Sequence, residues 1–337
     1  MKAINIIKKG EIRLIDKEKP VARQGEVLLK IRYVGFCGSD LNTFLGNNPM
    51  VKLPVIPGHE IAATVEQVTE GVPPIIKEGM SCTVNPYTSC GYCSSCRNGR
   101  PNACRNNETL GVQRDGAMSD YLVVPWQKVI VGDGMDVRTL ALVEPMSVGF
   151  HAVSRAAVVD TDTVMVIGCG MVGLGAVVRS ALRGACVIAV DIDDEKLSIA
   201  KKMGATYVIN SRDENVNDRL TKITQDMGTD VIIEAVGSPA TYRMAVDEIS
   251  YTGRIVYIGY AKSEVSFETK YFVSKELDIR GSRNALPEDF RAVMQYFKRN
   301  DITNAVISAI FPPEKAEEAL TYWAANPGKV FRILIEF

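Results

Sequence analysis

The stretch "VIGCGMVG", Val166–Gly173, sets Gly168, Gly170 and Gly173 in G-x-G-x-x-G spacing. Alone, that pattern marks only a glycine-rich turn. Its context says more, because "TVMVIG" reads as a buried strand running into it and "MVGLGAVVRSALR" as a helix leaving it, stopped at Gly184. A strand, glycine turn and helix in this order let the backbone approach a pyrophosphate, with N–H groups and the positive helix end facing it. The next strand, "CVIAVD", ends on Asp191, 23 residues after Gly168. A carboxylate there can accept both ribose hydroxyls and would repel a 2′-phosphate, so NAD is expected rather than NADP.

The alternation continues outward. "DDEKLSIAKKM" predicts a helix with Asp193 as N-cap and Gly204 just past its end, and "SPATYRMAVDEIS" a second helix starting at Ser238-Pro239. "YVIN", "DVIIEAVG", "RIVYIG" and "ELDIRG" supply further strands. Strand–helix alternation of this kind predicts an α/β unit with a doubly wound parallel sheet. Before Asp160 the character differs. "EVLLKIRYVGF", "HEIAATVEQV", "MSCTVNPY" and "DYLVVPWQKVIV" are short alternating runs and predict an antiparallel, barrel-like domain. The tail adds one amphipathic helix, "PEDFRAVMQYFKRN", and the strand "KVFRILIEF".

With 39 basic and 40 acidic residues the net charge is −1, which gives no electrostatic reason to expect nucleic acid or an anionic membrane as partner. The N-terminal segment carries charges every few residues, and the apolar-rich span Val164–Val190 is interrupted by glycines, Arg179 and Arg183. A soluble, cytoplasmic protein is expected.

Eight cysteines in such a chain point to metal rather than disulfides. "SCGYCSSCRNGRPNAC" spaces Cys90, Cys93, Cys96 and Cys104 as C-x2-C-x2-C-x7-C. Four thiolates on a short loop can close around a structural zinc with no open position. An iron–sulfur cluster takes the same ligands, but polar residues, not proline, follow Cys104. Cys82, Cys169 and Cys186 lie in apolar surroundings and read as small core residues. Cys37, in "GFCGSD", stands apart from both groups. "PGHE" follows, with His59 beside Glu60, and "EPMSVGFHA" brings Glu144 and the second of the two histidines, His151.

The order "GFCGSD", "PGHE", four-cysteine lobe, "EPMSVGFHA" and glycine fingerprint resembles the zinc-dependent medium-chain dehydrogenase/reductase family over nearly the whole chain. The match is to its sorbitol-, L-threonine- and L-galactonate-type branch. The resemblance implies a GroES-like β-barrel catalytic domain, residues 1–148 and 285–337, with the lobe at about 88–106. A Rossmann NAD-binding domain, 149–284, is inserted, and the active site lies in the cleft. Cys37 and His59 match catalytic zinc ligands, and Glu60, Glu144 or both complete the set, so two zinc ions per chain are implied. Ser39 matches the hydroxyl that hands the substrate proton outward, although Asn42 stands where the family commonly has a relay histidine. His151 reads as structural. Gly168, Gly170, Met171, Val172, Gly173, Asp191, Lys196, Ile258 and Arg283 carry over as the cofactor set, and Arg283 could equally meet a substrate carboxylate. The implied activity is NAD-linked oxidation of a secondary alcohol in a polyol or sugar acid, first L-galactonate at C5. L-threonine or galactitol 1-phosphate is the alternative. A homodimer or homotetramer is implied. A zinc-ribbon binding protein would leave "PGHE" and the fingerprint without a role, and a zinc-free reductase would lack the ligand set.

Overall fold

The computed structural model describes residues 1–132 and 134–337. The chain divides into two compact units, Met1–Glu144 with Leu286–Phe337, and Pro145–Ala285. The first division point falls inside the helix Val143–Ala156, four residues before the boundary expected from sequence. No change of composition marks it, because one continuous helix carries the chain across.

In the first unit the strand Glu26–Gly35 organises the sheet. One edge pairs along its length with the antiparallel strand Glu60–Val68. The other edge is shared, Tyr121–Pro125 taking Glu26–Lys30 and Arg332–Glu336 taking Tyr33–Gly35. Val27, Leu29, Ile31 and Val34 are buried from this strand and pack with Ile61, Val65, Leu320 and Ile333. The run "DYLVVPWQKVIV", read above as one strand, is two. Pro125 has no N–H to continue the ladder, the chain turns at Trp126–Lys128, and Val129–Val131 pairs instead with Ser81–Val84. The sheet is also not wholly antiparallel. Ile307–Phe311 runs parallel to Arg332–Glu336, a pairing made possible by the crossover helix Ala316–Ala325 between them.

The second unit holds six strands, every neighbouring pair parallel. Thr163–Ile167 lies inside, flanked by Cys186–Asp191 and then Tyr207–Asn210 on one side. Thr229–Glu234, Ile249–Tyr257 and Asp278–Gly281 follow on the other. The buried runs Val164–Ile167, Val187–Val190 and Val231–Ile233 fit strands covered on both faces. The chain reverses its direction of winding at Thr163–Ile167, the place where open sheets of this type bind ligands. Asp193 and Ser238 cap their helices as expected, each accepting a backbone N–H with its side chain. Among the described residues no helix is long and apolar enough to cross a membrane.

The glycine turn depends on close approach. A Cβ on Gly173 would stand 1.7 Å from the Gly168 carbonyl oxygen, whereas one on Gly170 would meet nothing within 4 Å. Gly173→Ala should therefore destabilise the fold by about 3 kcal/mol, and Gly170→Ala should leave it almost unchanged. Thermal unfolding midpoints of the two variants check this contrast.

Candidate metal centre and nucleotide edge

Cys37 occupies the N-cap of the short helix Gly38–Phe44, directly after the strand Glu26–Gly35. Its N–H donates to Asp40 Oδ2 at 2.8 Å. His59 and Glu60 arrive from another part of the chain, on the turn into Glu60–Val68. Gly58 there has φ +102°, a conformation few side chains tolerate. Backbone bonds from Ala117 to Gly58 and from Met118 to Pro57 hold this turn. The result brings a Cys37 sulfur, a His59 ring nitrogen and a Glu60 oxygen within 4.8 Å of one another. His59 and Glu60 are buried and Cys37 is half-buried.

These donors suit a metal ion. Glu60 lies opposite Gly35 in the ladder, and a Cβ there would sit 2.3 Å from Glu60 Oε2, so only glycine leaves the carboxylate room. Arg332 Nη1 stands 3.1 Å from Glu60 Oε1 and donates to the Phe36 carbonyl at 2.5 Å. That Glu60 contact is charge attraction without hydrogen-bond alignment, and both Glu60 oxygens and His59 Nδ1 lack a hydrogen-bond partner. Burial would discourage a charge on His59, yet Cys37, Asp40 and Glu144 outweigh it and hold the imidazole well above its usual range. Burial lifts Glu60 to about 7 against the pull of Arg332, with Glu144 adding repulsion. A thiol, imidazole and carboxylate at this spacing suit zinc.

Glu144, in the first turn of Val143–Ala156, is outside that three-residue group. It accepts a very short hydrogen bond from the Tyr87 hydroxyl. Ser39 Oγ is buried and without a hydrogen-bond partner, while Thr43 Oγ1 and Asn48 Nδ2 both donate to the Ser39 carbonyl. His151 is buried in the second unit. Asp40, Tyr87 and Arg332 escaped the sequence reading. Asp40 had a local signal, three residues after Cys37, but the other two approach from distant segments.

In the lobe, the sulfurs of Cys93 and Cys96 are 3.5 Å apart, Cys93 and Cys104 3.8 Å, and Cys104 and Cys90 3.5 Å. Four sulfurs about 2.3 Å from a central zinc stand about 3.8 Å apart. Hydrogen bonds from Ser95 and from the Cys96 and Arg105 backbone pull Cys93 down to about 5, whereas burial and the neighbouring sulfurs push Cys96 up to about 11. Four sulfurs at this spacing could close as thiolates around one zinc ion.

The nucleotide candidates gather along the carboxyl edge of the parallel sheet, where Ile167 is level with Val190 and Glu234, and Glu234 with Tyr257. Gly168, Asp191 and Ile258 follow directly on that line. Met171 and Val172 open the helix Met171–Leu182, and Lys196 lies in the first turn of the next, its N–H on Asp193. Arg283 is exposed just beyond the last strand. Asp191 already receives N–H groups from Cys169 at 2.6 Å, Ile192 at 2.7 Å and Asp193 at 3.1 Å, so it ties the glycine turn to the neighbouring strand.

Two outcomes follow from the metal sites. In the metal-free protein at neutral pH, protons occupy His59 and part of Glu60, whose folded-state values lie above those of free side chains. Zinc must displace them, so its binding should release protons and its affinity should fall as pH drops through about 7. Titrating zinc into weakly buffered protein with a pH indicator measures this. Cys93→Ser should lower the thermal midpoint and remove one zinc per chain while Cys37 keeps its own, as read by elemental analysis.

Comparison with known proteins identifies the family. The family model described as "Alcohol dehydrogenase GroES-like domain" matches residues 23–133, and "Zinc-binding dehydrogenase" matches residues 172–299. L-galactonate-5-dehydrogenase of Escherichia coli (strain K12) is 33% identical over 291 residues, 85% of this chain and 84% of that protein. Sorbitol dehydrogenase of Bacillus subtilis (strain 168) is 34% identical over 288 residues, 83% of this chain and 81% of that protein. The crystal structure of RspB from Escherichia coli CFT073, complexed with NADH, superposes with TM-score 0.91 at 29% identity, covering 100% of this chain and 99% of that one. The chain belongs to the zinc-type alcohol dehydrogenases of the medium-chain dehydrogenase/reductase family, oxidoreductases that act on CH–OH donors.

Proposed function

We propose that this protein oxidises a secondary alcohol of a polyol or sugar acid to the ketone with NAD, and that L-galactonate, at C5, is its substrate. The observation that carries the reaction is the convergence of Cys37, His59 and Glu60, with unpartnered buried acceptors, in a chain that also builds the glycine fingerprint. Zinc held by those three residues supplies Lewis-acid stabilisation of a developing alkoxide. Ser39 presents a buried hydroxyl with no hydrogen-bond partner, fit to accept the substrate's hydroxyl proton. Asn42 cannot take up a proton at neutral pH, so a proton passed on by Ser39 would need a ribose hydroxyl, water or some other base as its next carrier. NAD held at Gly168–Gly173 and Asp191 would supply the hydride acceptor. Gly170 leaves open space for the pyrophosphate and Asp191 meets the ribose. Support for a sugar-acid substrate comes from the 33% identity to L-galactonate-5-dehydrogenase. Arg283, exposed after the last strand, is the candidate partner of its carboxylate.

The test is NADH formation by the zinc-loaded protein with L-galactonate, other aldonates, sorbitol, galactitol, galactitol 1-phosphate and L-threonine. L-galactonate should give the highest kcat/KM. Preference for L-threonine or a phosphorylated polyol would replace the substrate assignment and leave the reaction standing. Cys37→Ser should abolish turnover while NAD binding, followed by nucleotide fluorescence, persists; retained turnover would overturn the metal centre.

A further inference from the structure

Glu234 ends the strand Thr229–Glu234 in the second unit and is fully buried. Its Oε1 accepts three neutral donors, the N–H groups of Val236 at 2.9 Å and Gly237 at 2.7 Å and the Thr241 hydroxyl at 2.8 Å. Oε2 is buried with no hydrogen-bond partner, and among the described residues no cation forms an ion pair with either oxygen. The other buried acid described in this unit, Asp162, is paired with Arg254. Buried carboxylates are ordinarily paired in that way, so the charge of Glu234 stands out as uncompensated.

The carboxylate sits at the edge of the sheet that receives a dinucleotide. Glu234 is level with Ile167 in the ladder, and Gly168 follows Ile167 directly. A Cβ on Gly168 would stand 2.6 Å from Val236 Cγ2, so the turn that Glu234 braces abuts the first glycine of the fingerprint. The Glu234 carbonyl also accepts the Ile258 N–H at 2.9 Å, which joins the next strand-end turn to it. With Asp191 as the adenosine ribose partner on one side of Thr163–Ile167, the nicotinamide half of the dinucleotide falls to the other side, that of Thr229–Glu234. The nicotinamide ring is cationic in NAD and neutral in NADH. An uncompensated anion on that side acts on the oxidised form alone.

We infer that Glu234 sets the balance between oxidised and reduced cofactor: its charge stabilises bound NAD relative to bound NADH and so favours the direction of alcohol oxidation. This rests on the placement of NAD at the glycine fingerprint and is independent of the metal centre and of the substrate. Being fully buried, Glu234 acts by its field and not by contact.

The test measures dissociation constants of zinc-loaded wild type, Glu234→Gln and Glu234→Asp, for NADH by nucleotide fluorescence and for NAD by displacement of NADH. Glutamine keeps the shape and an acceptor oxygen for the three donors, and removes the charge. Aspartate keeps the charge and, one methylene shorter, withdraws from the turn. Glu234→Gln should raise the ratio Kd(NAD)/Kd(NADH) about 5- to 10-fold, almost entirely through NAD. Glu234→Asp should weaken both forms alike and leave the ratio within about twofold of wild type. A residue that only braced the turn would move both constants together in both variants. An unchanged ratio in Glu234→Gln, or an equal shift of the ratio in Glu234→Asp, would therefore overturn the inference. If wild type binds neither nucleotide, the cofactor placement itself fails, which separates the two failures.

Discussion

The crowding of a thiol, an imidazole and a carboxylate into a dry pocket is the constraint on which the first unit is built. Without a cation the cluster leaves both Glu60 oxygens and His59 Nδ1 unpaired, a costly state for buried polar atoms. Many details exist to maintain that crowding. Gly35 gives up its side chain so that Glu60 can lie across the ladder. Asp40 holds the Cys37 backbone, and Arg332 offsets the Glu60 charge without capturing its lone pairs. A fully aligned Arg–Glu bridge would neutralise the carboxylate and weaken it as a ligand, so the imperfect alignment suits the metal.

The two candidate metal sites gather their donors by different means. The lobe takes four ligands from fifteen consecutive residues and organises itself through short helical turns at Ser94–Arg97 and Pro101–Ala103. Its closed tetrad stabilises structure and has no place for substrate. The Cys37 centre draws its donors from the ends of two strands, Cys37 and His59 being 22 residues apart, set side by side by antiparallel pairing. Its protein donors are fewer, which leaves a position open for chemistry. Tyr87 stands between the two, its chain entering the lobe and its hydroxyl on Glu144.

In the second unit the governing constraint is steric. The contact between Gly173 and the Gly168 carbonyl brings helix and strand to a distance that no side chain permits. Asp191 then reaches across to the Cys169 N–H, so the residue expected to read the ribose also shapes the turn that receives the pyrophosphate.

Much of this was legible in the linear sequence because the signals are local. The glycine spacing, the strand–helix alternation, the caps at Asp193 and Ser238, and the cysteine spacing each depend on residues a few positions apart, where backbone sterics and hydrogen bonding act directly. Cys37, His59 and Glu60 could be matched to a family pattern, but the residues alone left Glu60 and Glu144 equivalent. The fold distinguishes them because the partners that decide their environments, Arg332, Tyr87 and Gly35, come from remote strands and loops. The same holds for the strand broken at Pro125 and for the parallel pair at the C-terminus, where pairing partners rather than propensity determine the outcome. Short-range sterics and motif spacing thus specified the elements and their chemistry. Long-range packing decided which carboxylate lies beside Cys37 and His59, since charge and solvation in a buried site depend on every group that surrounds it.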